Sequence, residues 1–161
     1  MICDDMDRFA ALLPPGHALI GLDLGTKTIG VAISDQILIS ATPLTTIKRV
    51  KFTSDAARLQ DLISERGICG IILGLPRNMN GSEGPRAQST RAFARNLTQF
   101  PGLEALPIGY WDERLSTVAA EKALLEANTT RKHRAEVIDH VAASYILQGA
   151  LDRLRHLRDT P

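Results

Sequence analysis

The run from Ile68 to Leu75 (I-C-G-I-I-L-G-L) is apolar at nearly every one of its eight positions. A segment with no polar face has nothing to turn towards water, so it reads as a strand covered on both sides, in the manner of a parallel strand. It is far short of the roughly 20 residues that span a bilayer. Helices are therefore required above and below it, and its flanks carry the pattern. Ala56, Leu59, Leu62 and Ile63 recur at helical spacing, with Thr53 or Ser54 as cap and Gly67 as stop. Beyond a polar loop from Pro76 to Glu83, residues Pro85 to Leu97 predict a second helix with the proline in its first turn.

Ahead of these elements the period is different. Ala18 to Asp23 and Ile29 to Ser34 read as short strands joined by the turn Gly25-Thr26-Lys27-Thr28, and Ile37 to Ala41 predicts a third. Connections this short favour an antiparallel meander. Further on, Leu106 to Trp111 predicts another strand, and Ser116 caps a helix to about Ala127. Asn128 to Arg134 reads as a basic loop, and a long helix follows from Ala135 to about Leu157. The expected class is α/β, with a mixed five-stranded sheet: three antiparallel strands, then strands alternating with helices that cover both faces. Residues 4–13 predict a short amphipathic helix stopped by Pro14-Pro15-Gly16. We expect an N-terminal extension over residues 1–17, one domain over 18–157 and a tail at 158–161; a chain of 161 residues suits one domain with a real core.

Three acids stand where simple folding would avoid them. Asp23 ends an apolar strand, although aspartate is depleted in strands and a buried charge is costly unless paired or bound to a metal. Glu113 follows the strand ending at Trp111, and ligands in α/β layers gather at the carboxyl ends of strands. Asp139 shares a helix face with Ala142, Ala143, Ile146 and Ala150, the face that should meet the sheet. Each also has an ordinary structural explanation: a turn cap, a first-turn acid favoured by the helix dipole, a buried salt bridge. Taken together, the three can reach one edge of the sheet. Converging carboxylates repel unless cations hold them, and oxygen-only ligands suit Mg²⁺ or Mn²⁺. Such ions activate water and stabilise the leaving oxygen of a phosphodiester. His17, His133, His140 and His156 show no paired metal spacing, and no Ser/His/Asp or Cys/His set is readable.

Charge limits the partners. Lys and Arg total 19 against 18 Asp and Glu, which excludes a bulk polycation but allows a local basic face. Lys27, Arg77, Arg86, Arg114, Arg131, Lys132 and Arg134 fall in expected turns and loops around the acids, where a phosphate polymer would need cations. Gly84-Pro85-Arg86 opens a helix whose free N–H groups favour an anion. Cys3 and Cys69 form no Cys-x-x-Cys pair, which argues against a disulfide framework or structural zinc and fits a reducing cytoplasm. Asp4, Asp5 and Asp7 stand where an export signal would carry bases. The expected location is cytoplasmic and the expected partner a nucleic acid, with no membrane.

Four segments resemble one family. Gly21-Leu-Asp-Leu-Gly-Thr-Lys-Thr-Ile-Gly-Val-Ala-Ile-Ser-Asp35, Gly74-Leu-Pro-Arg-Asn-Met-Asn-Gly-Ser-Glu-Gly-Pro-Arg86, Trp111-Asp-Glu-Arg-Leu-Ser-Thr117 and Val137-Ile-Asp-His-Val-Ala-Ala143 are similar, in order, to the YqgF (RuvX) family. Its members are described as Holliday junction resolvases or as nucleases maturing the precursor of small-subunit ribosomal RNA. The resemblance runs from about residue 18 to 152. It implies an RNase H-like fold and metal-dependent phosphodiester cleavage, with Asp23, Glu113 and Asp139 as the catalytic, metal-holding acids. It also implies structured RNA as substrate, with branched DNA as the alternative. Gly74-Leu75-Pro76 lacks the acid of the wider RNase H-like class, and the resemblance implies that Glu113 supplies the missing carboxylate from the fifth strand. His140 and Glu136 are candidates for a fourth ligand.

Two other classes are distinguishable. Asp23-Leu-Gly-Thr26 also resembles the first phosphate loop of actin-like kinases and chaperone ATPases, but these place ATP between two domains and 161 residues hold one. A non-catalytic nucleic-acid module would not need the three acids. Monomer and homodimer are both open, although a resolvase cutting two related strands would be a symmetric dimer.

Overall fold

Ile68–Leu75 is a strand buried at all eight positions, as its unbroken apolar run demands. The computed structural model describes residues 1–115 and 131–159, with side chains of the last helix from 139 onward, and sets this strand inside a six-stranded sheet. In chain order the strands are β1 (Ile2–Cys3), β2 (Ala18–Leu24), β3 (Thr28–Ser34), β4 (Ala41–Lys48), β5 (Ile68–Leu75) and β6 (Ile108–Asp112). Across the sheet they run β1-β6-β5-β2-β3-β4. The β2–β3 and β3–β4 pairs are antiparallel, whereas β5 is parallel to β2 and β6, and β1 is parallel to β6.

Helices cover both faces. On one, α1 (Met6–Ala11) and α4 (Arg131–Asp159) build a core of Phe9, Leu19, Ile72, Ala143, Ile146 and Leu147. On the other, α2 (Phe52–Arg66) and α3 (Pro85–Thr98) pack Leu59, Ile63, Phe93 and Leu97 against Leu22 and Ile71. Phe52 meets Phe93 and Phe100 edge-on, with centroids at 5.5 and 6.3 Å. Gly67 ends α2 in the left-handed region at φ +62°, the conformation glycine adopts most cheaply.

Four sequence expectations need correction. The sheet has six strands, not five, because Ile2 and Cys3 pair with Ile108 and Gly109; two residues are too few to show a period. The third expected strand is not Ile37 to Ala41. Asp35 Oδ1 accepts from the backbone N–H of Ile39 at 2.7 Å and Ser40 at 3.3 Å, closing a turn in which Leu38 adopts φ +60°. The turn leaves Ile37 and Ile39 exposed, and β4 starts only at Ala41. Helix α2 begins before Thr53 or Ser54: Lys51 is its N-cap residue, Ser54 Oγ donates to the Lys51 carbonyl at 3.1 Å, and buried Asp55 accepts from the Val50 N–H at 3.2 Å. Arg131, Lys132 and Arg134 belong to the first turns of α4 rather than to a loop, since no Gly or Pro interrupts the good helix formers there. The helix expected from Ser116 to about Ala127 lies outside the described residues.

Candidate active site

Register lines up the site. Asp23 is the cross-strand partner of Gly30, Gly30 of Thr46, and Gly74 of Trp111. Leu22 pairs with Leu73, so Asp23 and Gly74, one residue on, stand level. Residues level across a sheet project to the same face. Here that face carries α4. A Cβ on Gly30 would overlap the backbone carbonyl of Asp139, and one on Gly74 would come within 2.5 Å of Ile146 Cδ1. Bare backbone at these two positions is what lets the helix lie so close.

The three acids stand along this row. Asp23 is buried at the carboxyl end of β2. Glu113 opens the 3₁₀ turn Glu113–Leu115 directly after β6, and its Oε1 lies 2.8 Å from where a Cβ on Gly74 would be. Asp139 sits over Gly30, and its Oδ2 accepts a 2.6 Å hydrogen bond from Thr28 Oγ1. The stations are therefore β5, β2 and β3, three adjacent strands spanning roughly 10 Å at the usual spacing. Among the described residues, no three His, Cys, Asp or Glu side chains are gathered tightly enough to hold a metal ion. His140 continues the row over β4, where its Nδ1 lies 2.9 Å from Thr46 Oγ1. The Glu136 side chain lies outside the description.

The expected cations divide into three sets. Lys27 is exposed in the β2–β3 turn, and Arg86, at the start of α3, donates to the Leu24 carbonyl at 3.3 Å. Arg77 and Arg114 are committed to acids instead. Arg77 lies 3.4 Å from Glu83 and 3.6 Å from Asp112, while Arg114 grips Asp112 at 2.7 Å. The side chains of Arg131, Lys132 and Arg134 are not among those described. Sequence reasoning missed the hub of this ion network, Asp112, whose only signal was an acid next to Glu113. It also missed Thr28, a turn residue whose partner lies 111 positions away.

The hydrogen bonds and charge of Arg114 hold the Asp112 carboxyl below the usual aspartate range, with Arg77 adding to the effect. Arg91, bonded to Glu83 at 2.6 and 2.7 Å, likewise lowers the Glu83 carboxyl. The native state thus binds fewer protons here than the unfolded chain. The contribution of Asp112 to stability is full above the ordinary aspartate value of about 3.9 and is lost as pH falls through its lowered value. Asp112→Asn is accordingly expected to melt earlier than wild type near neutrality and together with it in strong acid. Paired melting curves across that range check this; a gap that persists at the acid end contradicts it.

Comparison with known proteins agrees with this architecture. A family model described as "RuvX: Holliday junction resolvase" matches residues 17–153. A protein of Cereibacter sphaeroides (strain ATCC 17025), named "Putative pre-16S rRNA nuclease", is 71% identical over 154 residues, 96% of this chain and 94% of its own. A protein of the same name from Ruegeria sp. (strain TM1040) is 69% identical over 99% of this chain and 100% of its own. Among solved structures, Thermus thermophilus RuvC in complex with a Holliday junction substrate aligns at a TM-score of 0.53 and 12% identity, over 86% of this chain and 96% of that one. That distant likeness concerns the fold, which is RNase H-like with β1 added at its edge. The chain belongs to the RuvX family.

Proposed function

We propose that this chain is a metal-dependent nuclease that hydrolyses phosphodiester bonds during maturation of the 5′ end of pre-16S ribosomal RNA. The observation that carries the reading is the row of Glu113, Asp23 and Asp139, an all-oxygen, like-charged set level across three strands. Like charges along one short row repel, a cation among them would draw them together, and oxygen donors suit Mg²⁺ or Mn²⁺. The bare backbone of Gly74 fits such a group, because a Cβ there would crowd the Glu113 carboxylate. Asp23, Glu113 and Asp139 would hold the ion, which when bound supplies an activated water and stabilises the leaving oxygen.

The chain's own residues position the rest. Thr28 donates to one oxygen of Asp139 and so fixes its carboxylate. Glu113, on the turn after β6, assists proton transfer. Lys27 and Arg86 flank the end of β2 and receive substrate phosphates; Arg131, Lys132 and Arg134 add charge from the start of α4. Arg77 and Arg114 brace the Asp112 end of the site.

Ribosomal RNA precursor is the substrate in the names of relatives 66 to 71% identical to this chain, and a cytoplasmic location follows from it. Branched DNA is the second reading, favoured by the family description and the RuvC likeness. Purified protein offered a pre-16S 5′ fragment and a four-way DNA junction, with Mg²⁺, Mn²⁺ or chelator, tests both. Cleavage of the RNA, restored by either ion and absent in chelator, is expected. Cleavage of the junction alone would transfer the function to the second reading, and cleavage of neither would end both.

A further inference from the structure

Two arginines meet at the carboxyl end of β2. Arg49, from the loop between β4 and α2, donates through Nη1 to the Gly25 carbonyl, and Arg86 Nη2 donates to the Leu24 carbonyl at 3.3 Å. Their acceptors are successive residues, and both side chains line one cavity of about 220 Å³ together with Thr26 and Ser89. Arg49 is fixed from two further sides. Its guanidinium lies 5.7 Å from the centre of the buried Phe93 ring, and its main-chain N–H donates to the Lys27 carbonyl at 2.9 Å.

These bonds leave the charge of the pair unmatched. A carbonyl is a neutral acceptor, and neither arginine joins an ion pair among the described residues. Arg77, Arg91 and Arg114, by contrast, each close on a carboxylate. Asp55, the acid nearest to Arg49 in sequence, accepts from the Val50 N–H instead, and the first turn of α3 beside Arg86 holds no acid. Bracing the turn uses only part of what the pair offers. Each guanidinium has five N–H donors and gives one to a carbonyl, and neither residue is buried, so the remaining donors are open to an occupant of the cavity. Planar forks of this kind match the oxygens of a phosphate.

The cavity lies on the other side of the sheet from the acids. Leu24 packs into the core under α2 and α3, whereas Asp23, one residue earlier, belongs to the row beneath α4. Gly25 is two residues beyond Asp23, roughly 7 Å along the chain. We propose that the cavity between Arg49 and Arg86 takes a backbone phosphate flanking the scissile one, so that the substrate strand crosses the carboxyl end of β2, past exposed Lys27, from the α4 side to the α3 side. The proposal rests on the nuclease reading and adds Arg49 to the residues that bind the substrate.

The probe is a fluorescein-labelled single-stranded oligoribonucleotide, titrated by anisotropy in chelator so that nothing is cut. Arg49→Gln and Arg86→Gln should each weaken binding about five- to tenfold at low salt. Because both arginines serve one phosphate, the double variant should lose less than the product of the single losses, and its salt slope should fall by about 0.7, one contact to a single strand. Two independent surface contacts would instead multiply their losses and remove about 1.4 from the slope. Arg49→Lys keeps the charge and should bind more tightly than Arg49→Gln. Arg155→Gln, beside Gly16 and His17 at the other end of β2, is the control and should bind as wild type. Arg86 is exposed, so its variant keeps the test open if Arg49→Gln melts early. In cleavage assays both single variants should raise KM more than they lower kcat.

Wild-type affinity in Arg86→Gln or in folded Arg49→Gln overturns the proposal, as do multiplying losses in the double variant and an absence of oligoribonucleotide binding by the wild type. Cleavage with unchanged KM in both variants would remove the cavity and leave the nuclease standing. The expected binding losses, without cleavage under any metal, would end the nuclease reading and leave the cavity as a phosphate site for nucleic acid.

Discussion

Asp23→Asn, Glu113→Gln and Asp139→Asn are each expected to lower cleavage by at least about 10²–10³-fold, the scale for losing one preorganised charge at a reacting phosphate. Each substitution is nearly isosteric, so the loss should come from charge and not from packing. Asp139→Asn keeps an oxygen to accept from Thr28, and its helix face, with Ala142, Ala143, Ile146 and Ala150 all fully buried, is untouched. Removing one of three neighbouring negative charges relieves repulsion, so the melting temperature should hold or rise slightly in the absence of metal. Single-turnover rates beside melting curves give the test. A variant that cleaves at the wild-type rate removes that residue from the site, and a variant that loses activity only because it unfolds removes the argument from charge.

Gly30→Ala is expected to produce the largest loss of stability of any single methyl group on the sheet. The added carbon would overlap the main-chain carbonyl of Asp139, and backbone cannot rotate aside as a side chain can. Overpacking of this kind costs about 1–3 kcal/mol, sometimes more. At about 2–4 °C per kcal/mol for a chain of this size, the melting temperature should fall by roughly 5–10 °C. Cleavage should fall with it, because lifting α4 breaks the Thr28–Asp139 hydrogen bond. Gly74→Ala offers the contrast. Its new carbon meets the terminal methyl of Ile146 and the Glu113 carboxylate, both of which can move. It should cost less stability while still impairing cleavage. Calorimetry that finds the two variants equally stable would show that α4 is not docked on Gly30 as described.

The sequence showed most where a physical signal was local. The strand Ile68–Leu75 was legible to the residue, because only burial on both faces explains eight apolar positions in a row. Gly67 and Pro85 marked helix ends by their own backbone preferences. The stripe containing Asp139 was legible as a sheet-facing helix face, which is where its alanines lie. Legibility failed where structure depends on pairing at a distance. β4 carries threonines and Pro43 and, among the described residues, pairs with a strand along one side only, so its pattern is weak. The partners of Asp139 and His140 are Thr28 and Thr46, 111 and 94 positions away, and nothing in the local sequence selects them. Arg77 and Arg114 read as surface cations because their shared acid, Asp112, was hidden beside the more conspicuous Glu113.

The contact between Gly30 and Asp139 joins a hairpin made early in the chain to a helix made last. Synthesis proceeds from the amino end, so Asp23 and its glycine neighbour leave the ribosome long before α4. A polypeptide that stops short of α4 therefore carries Asp23 and Glu113 without Asp139. Cleavage by the proposed set of acids would therefore wait until this helix has been made and has docked on Gly30.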